Sequence, residues 1–197
     1  NSYSELVPYQ KKKVLADSTL LRQLDIVHTN FDAVVKGEQS PSDCFNIDLY
    51  AKYFALCDIF MSHHSYACFN AKFWFNPGNQ LLEPIAWDPI NFVRYKNGLD
   101  LSYKGHNYTF DSVCDNKCRF PIHYMLRKDS SFLDAYSEYL YHYAHNGSIQ
   151  NFIASYSSEI RVLEPLLFKQ NFETVDHPEW IIERMAEIKR LFLASNV

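Results

Sequence analysis

Two short apolar runs folded about a single turn constrain this chain more than any other feature. Between Phe69 and Phe92 it reads F-N-A-K-F-W-F-N-P-G-N-Q-L-L-E-P-I-A-W-D-P-I-N-F. Ala71 to Phe75 is an aromatic strand candidate and Pro84 to Trp87 a second apolar run. Asn76-Pro77-Gly78-Asn79 lies between them, with Pro and Gly placed for a type II turn, so a β-hairpin is predicted. Symmetric pairing about that turn makes facing residue numbers sum to about 158, which sets Asn70 opposite Asp88 at the open end, roughly 5 Å apart between Cα atoms. An amide oxygen and a carboxylate converging there suit Mg²⁺, a hard cation usually held by one or two protein groups plus substrate phosphates. Asn and Asp also cap strand ends with no further role, and spacing alone leaves both readings open.

The rest of the composition narrows the function classes. With 47% hydrophobic and 16% aromatic residues, a chain of 197 residues can bury a real core, and a single domain over 1–197 is expected. The five glycines, at 37, 78, 98, 105 and 147, are too scattered for a Walker-type phosphate loop or a dinucleotide fingerprint. A net charge of -4, with only Lys11-Lys12-Lys13 as a basic cluster, offers no footprint for nucleic acid. No apolar run is long enough to span a membrane, because Asp58 and His63-His64 interrupt the longest one. The chain starts at Asn1 without a signal-peptide pattern, as expected of a piece of something longer or of a processed product.

Cysteine usage bears on compartment and on metals. Cys57 and Cys68 sit in apolar stretches and read as small buried hydrophobes. Cys114 and Cys118 lie in a polar segment and could close a small disulfide, implying an oxidising compartment, or with His123 offer three zinc ligands. Asn107-Tyr-Thr and Asn146-Gly-Ser are glycosylation sequons. Together these lean toward an extracellular or cell-surface location, with the cytoplasm as the alternative.

Helical periodicity accounts for most of the remaining length. Asp17-Ser18 precedes Leu20, Leu24, Val27, Phe31 and Val34, a stripe ending at Gly37. After a loop containing Ser40-Pro41-Ser42, Ile47, Tyr50, Phe54, Cys57 and Met61 mark a core helix, apolar nearly all round. Asp58 within it reads as a hydrogen-bonded structural acid, and His63-His64 after it as packing or surface residues. Residues 89–120 read as a long loop with a short strand at 107–110. Helical character returns at Pro121, and Asp129-Ser130-Ser131 caps a helix carrying Phe132, Tyr136, Tyr139, Leu140 and Tyr143, stopped by Asn146-Gly147. Ser148 opens a further helix with Ile149, Phe152, Tyr156, Ile160, Leu163 and Leu167 on one face, which Pro165 should kink or end. Pro178 begins the last helix, with Trp180, Ile181, Ile188, Leu191 and Phe192 on its apolar side.

A core helix, a short loop ending in Asn, an aromatic strand, a turn and an apolar strand ending in Trp-Asp resemble the C-terminal lobe of the spore-coat-protein-H (CotH) kinase family. F-N-A-K-F-W-F and P-I-A-W-D carry the likeness, with L-R-K-D-S-S-F-L-D-A-Y-S-E-Y-L at 126–140 and the Trp180 to Phe192 helix resembling the closing helices. The resemblance implies an α+β fold, mostly α-helical, a protein-kinase-like C-terminal lobe with one β-hairpin at the metal site. It implies Mg²⁺ and ATP as cofactors held by Asn70 and Asp88, phosphoryl transfer to a protein substrate, and an upstream N-terminal lobe as partner. Transfer of this kind needs positioning and charge neutralisation more than covalent chemistry from the protein.

The sequence departs from the family pattern at three places. Five residues before Asn70, where the family's catalytic Asp is expected, stands Ser65, whose hydroxyl cannot accept a proton as a carboxylate does. His64 beside it, neutral near pH 7, could in principle substitute as the base. Two residues after Asp88, where a second acid is usual, stands Ile90. The smaller lobe, with its nucleotide-binding Lys, would lie upstream of Asn1. Three functions are therefore weighed: a kinase lobe, a catalytically inactive pseudokinase serving as a structural or surface-binding module, and a zinc hydrolase built on His63, His64 and the Cys114/Cys118 loop.

Overall fold

The computed structural model describes residues 6–60, 62, 71–87, 121–171 and 179–194. These residues are α+β: mostly helical, with one two-stranded antiparallel sheet. In chain order the elements are α1 (Lys11–Ala16), α2 (Ser18–Lys36), a 3₁₀ turn (Pro41–Asp43), α3 (Ile47–Ile59), β1 (Lys72–Asn76), β2 (Leu81–Ile85), α4 (Pro121–Leu126), α5 (Ser130–His145), α6 (Ser148–Asn171) and α7 (Glu179–Ala194). They fall into two compact units, the first holding the described residues up to 87 and 121–137, the second those from 138 on.

In the first unit the helix boundaries follow from local chemistry. Asp17 caps α2 by accepting from the amides of Thr19 and Leu20 at 2.9 and 3.2 Å. Gly37 ends it in the left-handed region (φ 77°), where Glu38 N donates to Ala33 O and Gly37 N to Val34 O, the Schellman pattern. Val27, Phe31 and Val34 are the buried stripe. The six-residue α1 ahead of it buries nothing, and its lysine run carries no periodicity that predicts it. Asp129 caps α5 through the amides of Ser131 and Phe132 at 2.9 and 3.1 Å and also accepts from the Ser131 hydroxyl.

The core of this unit is a chain of aromatic rings. Phe31 of α2 meets Phe45 edge-on at 6.2 Å, Phe45 meets Tyr50 at 5.3 Å, and Tyr50 lies 6.4 Å from both Phe54 and Phe73 of β1. Phe54 then meets Phe132 of α5 edge-on at 5.6 Å, and Phe132 stacks on Tyr136 at 5.9 Å. Each such pair adds about 0.5–1.5 kcal/mol beyond the area it buries. The core helix reading of α3 holds: Tyr50, Ala51, Phe54, Ala55, Cys57, Asp58 and Ile59 are all buried.

The hairpin forms, but on a different turn and register. Lys72 pairs with Ile85, Trp74 with Glu83 and Asn76 with Leu81, so facing numbers sum to 157 (72 + 85) and not 158. Four residues, 77–80, form the loop, and the left-handed one is Gln80 (φ 60°), whereas Gly78 has no positive φ and the turn is not type II. Asn76 organises it: its Oδ1 accepts from Gly78 N at 2.9 Å and its backbone carbonyl from Gln80 N at 2.8 Å. An even number of loop residues shifts the pairing by one, and such a shift exchanges the faces of one strand relative to the other.

In the second unit Leu140, Ala144, Ile149, Ile181, Met185 and Ile188 are buried, and Tyr141 meets Phe192 edge-on at 5.5 Å. Asn146-Gly147 stops α5 as expected, with Gly147 at φ 75°. In α6 the helix does not end at Pro165 but continues through it, and of the residues that share its apolar face only Ile149 is buried among the described side chains, while Phe152, Tyr156 and Leu163 are 54%, 52% and 51% exposed.

Candidate functional site

The site expected from the sequence rests on His64, Ser65, Asn70 and Asp88, and all four lie outside the described residues. Cys114, Cys118 and His63 lie outside them too, as does the side chain of His123. What the structure describes are the flanks: the end of α3 with Ser62 on one side, and the hairpin from Ala71 to Trp87 on the other. The pairing count that set Asn70 opposite Asp88 does not hold in the ladder, which is offset by one residue.

The flanks are firmly anchored. At the end of α3, Phe60 N donates to Leu56 O at 2.9 Å and Ser62 N to Cys57 O at 2.7 Å, so the chain enters 63–70 from a buried position. β2 is held on its second side by the lead-in to α3: Leu82 N donates to Cys44 O at 2.8 Å, Asn46 N donates to Leu82 O at 2.9 Å, and Phe45 and Leu82 form a parallel bridge. Asn46 also caps α3, its Oδ1 accepting from Leu49 N. Its Nδ2 donates to Glu83 Oε1 at 3.4 Å, and Asn76 Nδ2 donates to the same oxygen at 2.9 Å. Strand, turn and helix start thus share one polar cluster.

At the open end of the hairpin, Lys72 Nζ sits 3.4 Å from the centroid of the Trp87 ring. This cation–π contact ties the residue two after Asn70 to the residue immediately before Asp88. Sequence reasoning missed it, because pairing on a sum of about 158 gives Lys72 no relation to Trp87. The aromatic residue of the Trp-Asp pair was the available signal.

The buried titratable groups are structural by their chemistry. Burial first, then the charge of Asp43, pushes the Cys44 thiol up to about 12, so it carries no thiolate near neutrality. Burial, then Cys44, Tyr53 and Glu83, hold the Tyr50 phenol well above its ordinary value, and its hydroxyl is buried without a hydrogen-bond partner among the described residues. Asp58, 1% exposed, accepts from the Tyr136 hydroxyl, as a structural acid should. Beside the cap of α5, Ser40, Pro41, Lys128, Asp129 and Ser131 line an open depression of about 450 Å³. Burial of Asp129 acts to raise its pKa, but hydrogen bonds from Ser131, Phe132 and Ser40 outweigh it and leave the carboxyl below its ordinary value.

Among the described residues no three His, Cys, Asp or Glu side chains gather as a metal centre, and no helix is long and apolar enough to cross a membrane. No family model, curated protein or solved structure matches the chain.

Proposed function

We propose that this chain is the metal-binding lobe of a kinase-like protein resembling the CotH family, in which Asn70 and Asp88 hold Mg²⁺ on a bound ATP. The observation that carries the reading is the pinning of the hairpin between those two residues. Its closed end is fixed by Asn76 and Glu83, its β2 side by the lead-in to α3, and its open end by Lys72 on Trp87. Metal ligands leaving both strands of such a ribbon would inherit its stiffness, which is what a positioning catalyst requires.

The donor chemistry fits the ion, since an amide oxygen and a carboxylate are hard ligands of the kind Mg²⁺ accepts alongside phosphate oxygens. Bound Mg-ATP would supply the transferable phosphoryl group with its charge neutralised. The chain's own residues would hold that group and orient the acceptor, and His64 would take the acceptor's proton because Ser65 cannot. The same Ser65 favours a second reading, a pseudokinase that binds nucleotide without transferring phosphate.

Calorimetry with Mg²⁺ and ATP on the full-length protein separates these readings. Asp88→Ala should weaken Mg-ATP binding by about tenfold or more. Equal affinity in the variant overturns the metal-binding reading, whereas binding without any incorporation of labelled phosphate into protein selects the pseudokinase.

A further inference from the structure

The connector between α5 and α6 carries a reactive peptide unit. Asn146 is exposed, and the residue after it, Gly147, has a left-handed backbone with open space where a Cβ would be. Ser148 N donates to Asn146 Oδ1 at 2.9 Å. Asn146 N is engaged with His142 O at 2.9 Å and Gly147 O with Asn151 N at 2.9 Å, but the Gly147 nitrogen makes no backbone hydrogen bond among the described residues.

These are the elements of an intramolecular acyl substitution. The Gly147 nitrogen is the nucleophile, unencumbered by a hydrogen bond or by a side chain of its own. The Asn146 side-chain carbonyl carbon is the electrophile, and the Ser148 amide points at the oxygen on which negative charge develops during attack. Solvent reaches Asn146, so ammonia can leave and water can enter.

The geometry points to Asn146-Gly147 as a site of spontaneous modification through a cyclic imide. The Gly147 nitrogen bonds to Cγ of Asn146, the Cγ–Nδ2 bond breaks, and the displaced nitrogen leaves as ammonia with the proton released from Gly147. Water then opens the ring at Cγ to give aspartate, or at the main-chain carbonyl to give isoaspartate. The net change is the amide plus water going to a carboxyl plus ammonia, with no oxidant or cofactor. Aspartate adds one negative charge ahead of α6, where the helix dipole favours it. Isoaspartate reroutes the main chain through Cβ and takes the side-chain acceptor from Ser148 N, so the two products act on the start of α6 in opposite directions.

The test incubates the folded protein and the urea-unfolded chain in mildly alkaline buffer and follows the Asn146 peptide by mass, which rises by about 1 Da on conversion. Enzymatic methylation of isoaspartate reports the second product. Asn97-Gly98 supplies the intrinsic rate of the same dipeptide in the unfolded chain. Conversion of Asn146 in the folded protein at least as fast as in the unfolded one, abolished in Asn146→Gln, is the expected result. A folded rate more than about tenfold below the unfolded rate means that the fold protects the site, and overturns the proposal. Amide exchange at Ser148 should quicken in the isoaspartate fraction alone; exchange unchanged in that fraction rejects the assigned effect on α6.

Discussion

Helices α2 and α6 carry the same kind of apolar stripe and meet different ends. In α2, Val27, Phe31 and Val34 are buried, and Phe31 has the Phe45 ring against it. In α6, Phe152, Tyr156 and Leu163 remain about half exposed, and Phe152 and Tyr156 have each other's rings at 4.9 Å. Spacing makes a helix amphipathic, but burial also needs an opposing ring or side chain from elsewhere in the chain. The first unit supplies one at every step from Phe31 to Tyr136.

The sharpest way to break this contrast is to truncate one ring in each helix's surroundings. Phe45→Ala should cost about 3–5 kcal/mol in denaturant unfolding, because Phe45 is fully buried between Phe31 and Tyr50. Phe152→Ala should change stability by no more than about 0.5 kcal/mol, as a surface substitution does. Comparable losses for both would mean that the α6 stripe is covered in solution.

A smaller effect is expected from a polar tie inside the aromatic core. Tyr136→Phe removes the hydroxyl that donates to buried Asp58 while keeping the ring on Phe132, and should cost about 1.5–3 kcal/mol by the same measurement. Next comes the cap of α5. Asp129→Ala should cost about 0.5–2 kcal/mol at neutral pH. Because the folded carboxyl titrates below its ordinary value of 3.8, its contribution is complete above that pH and is lost as pH falls through the folded value. The gap between wild type and variant should therefore narrow on acidification below 3.8, seen in thermal melts across an acid series. The smallest change belongs to the exposed hairpin end. Lys72→Ala should cost about 0.5–1 kcal/mol, and Lys72→Arg should restore it.

What could be read from the sequence was local. Asp17, Gly37, Asp129 and Gly147 mark their helix ends because a cap depends on a few neighbouring residues. The hairpin's existence was legible for the same reason, but its register was not. Pro77-Gly78 reads as a type II turn, whereas the chain uses the Asn76 side chain and a left-handed Gln80 to close a loop of four. Exposure of α6 was invisible because periodicity names a face and not its partner. Of the candidate site, the sequence supplied His64, Ser65, Asn70 and Asp88 by pattern, and the structure adds the tie between Lys72, two residues after Asn70 in sequence, and Trp87, which precedes Asp88.

The attachment of Leu82 to residues 44 and 46 has a mechanical consequence. β2 is stitched along both sides at that residue, while β1 is joined along one among the described residues. A pull on the ribbon should therefore peel β1 away first and leave β2 riding with the start of α3, so the two strands would report different resistance to force although they share one ladder.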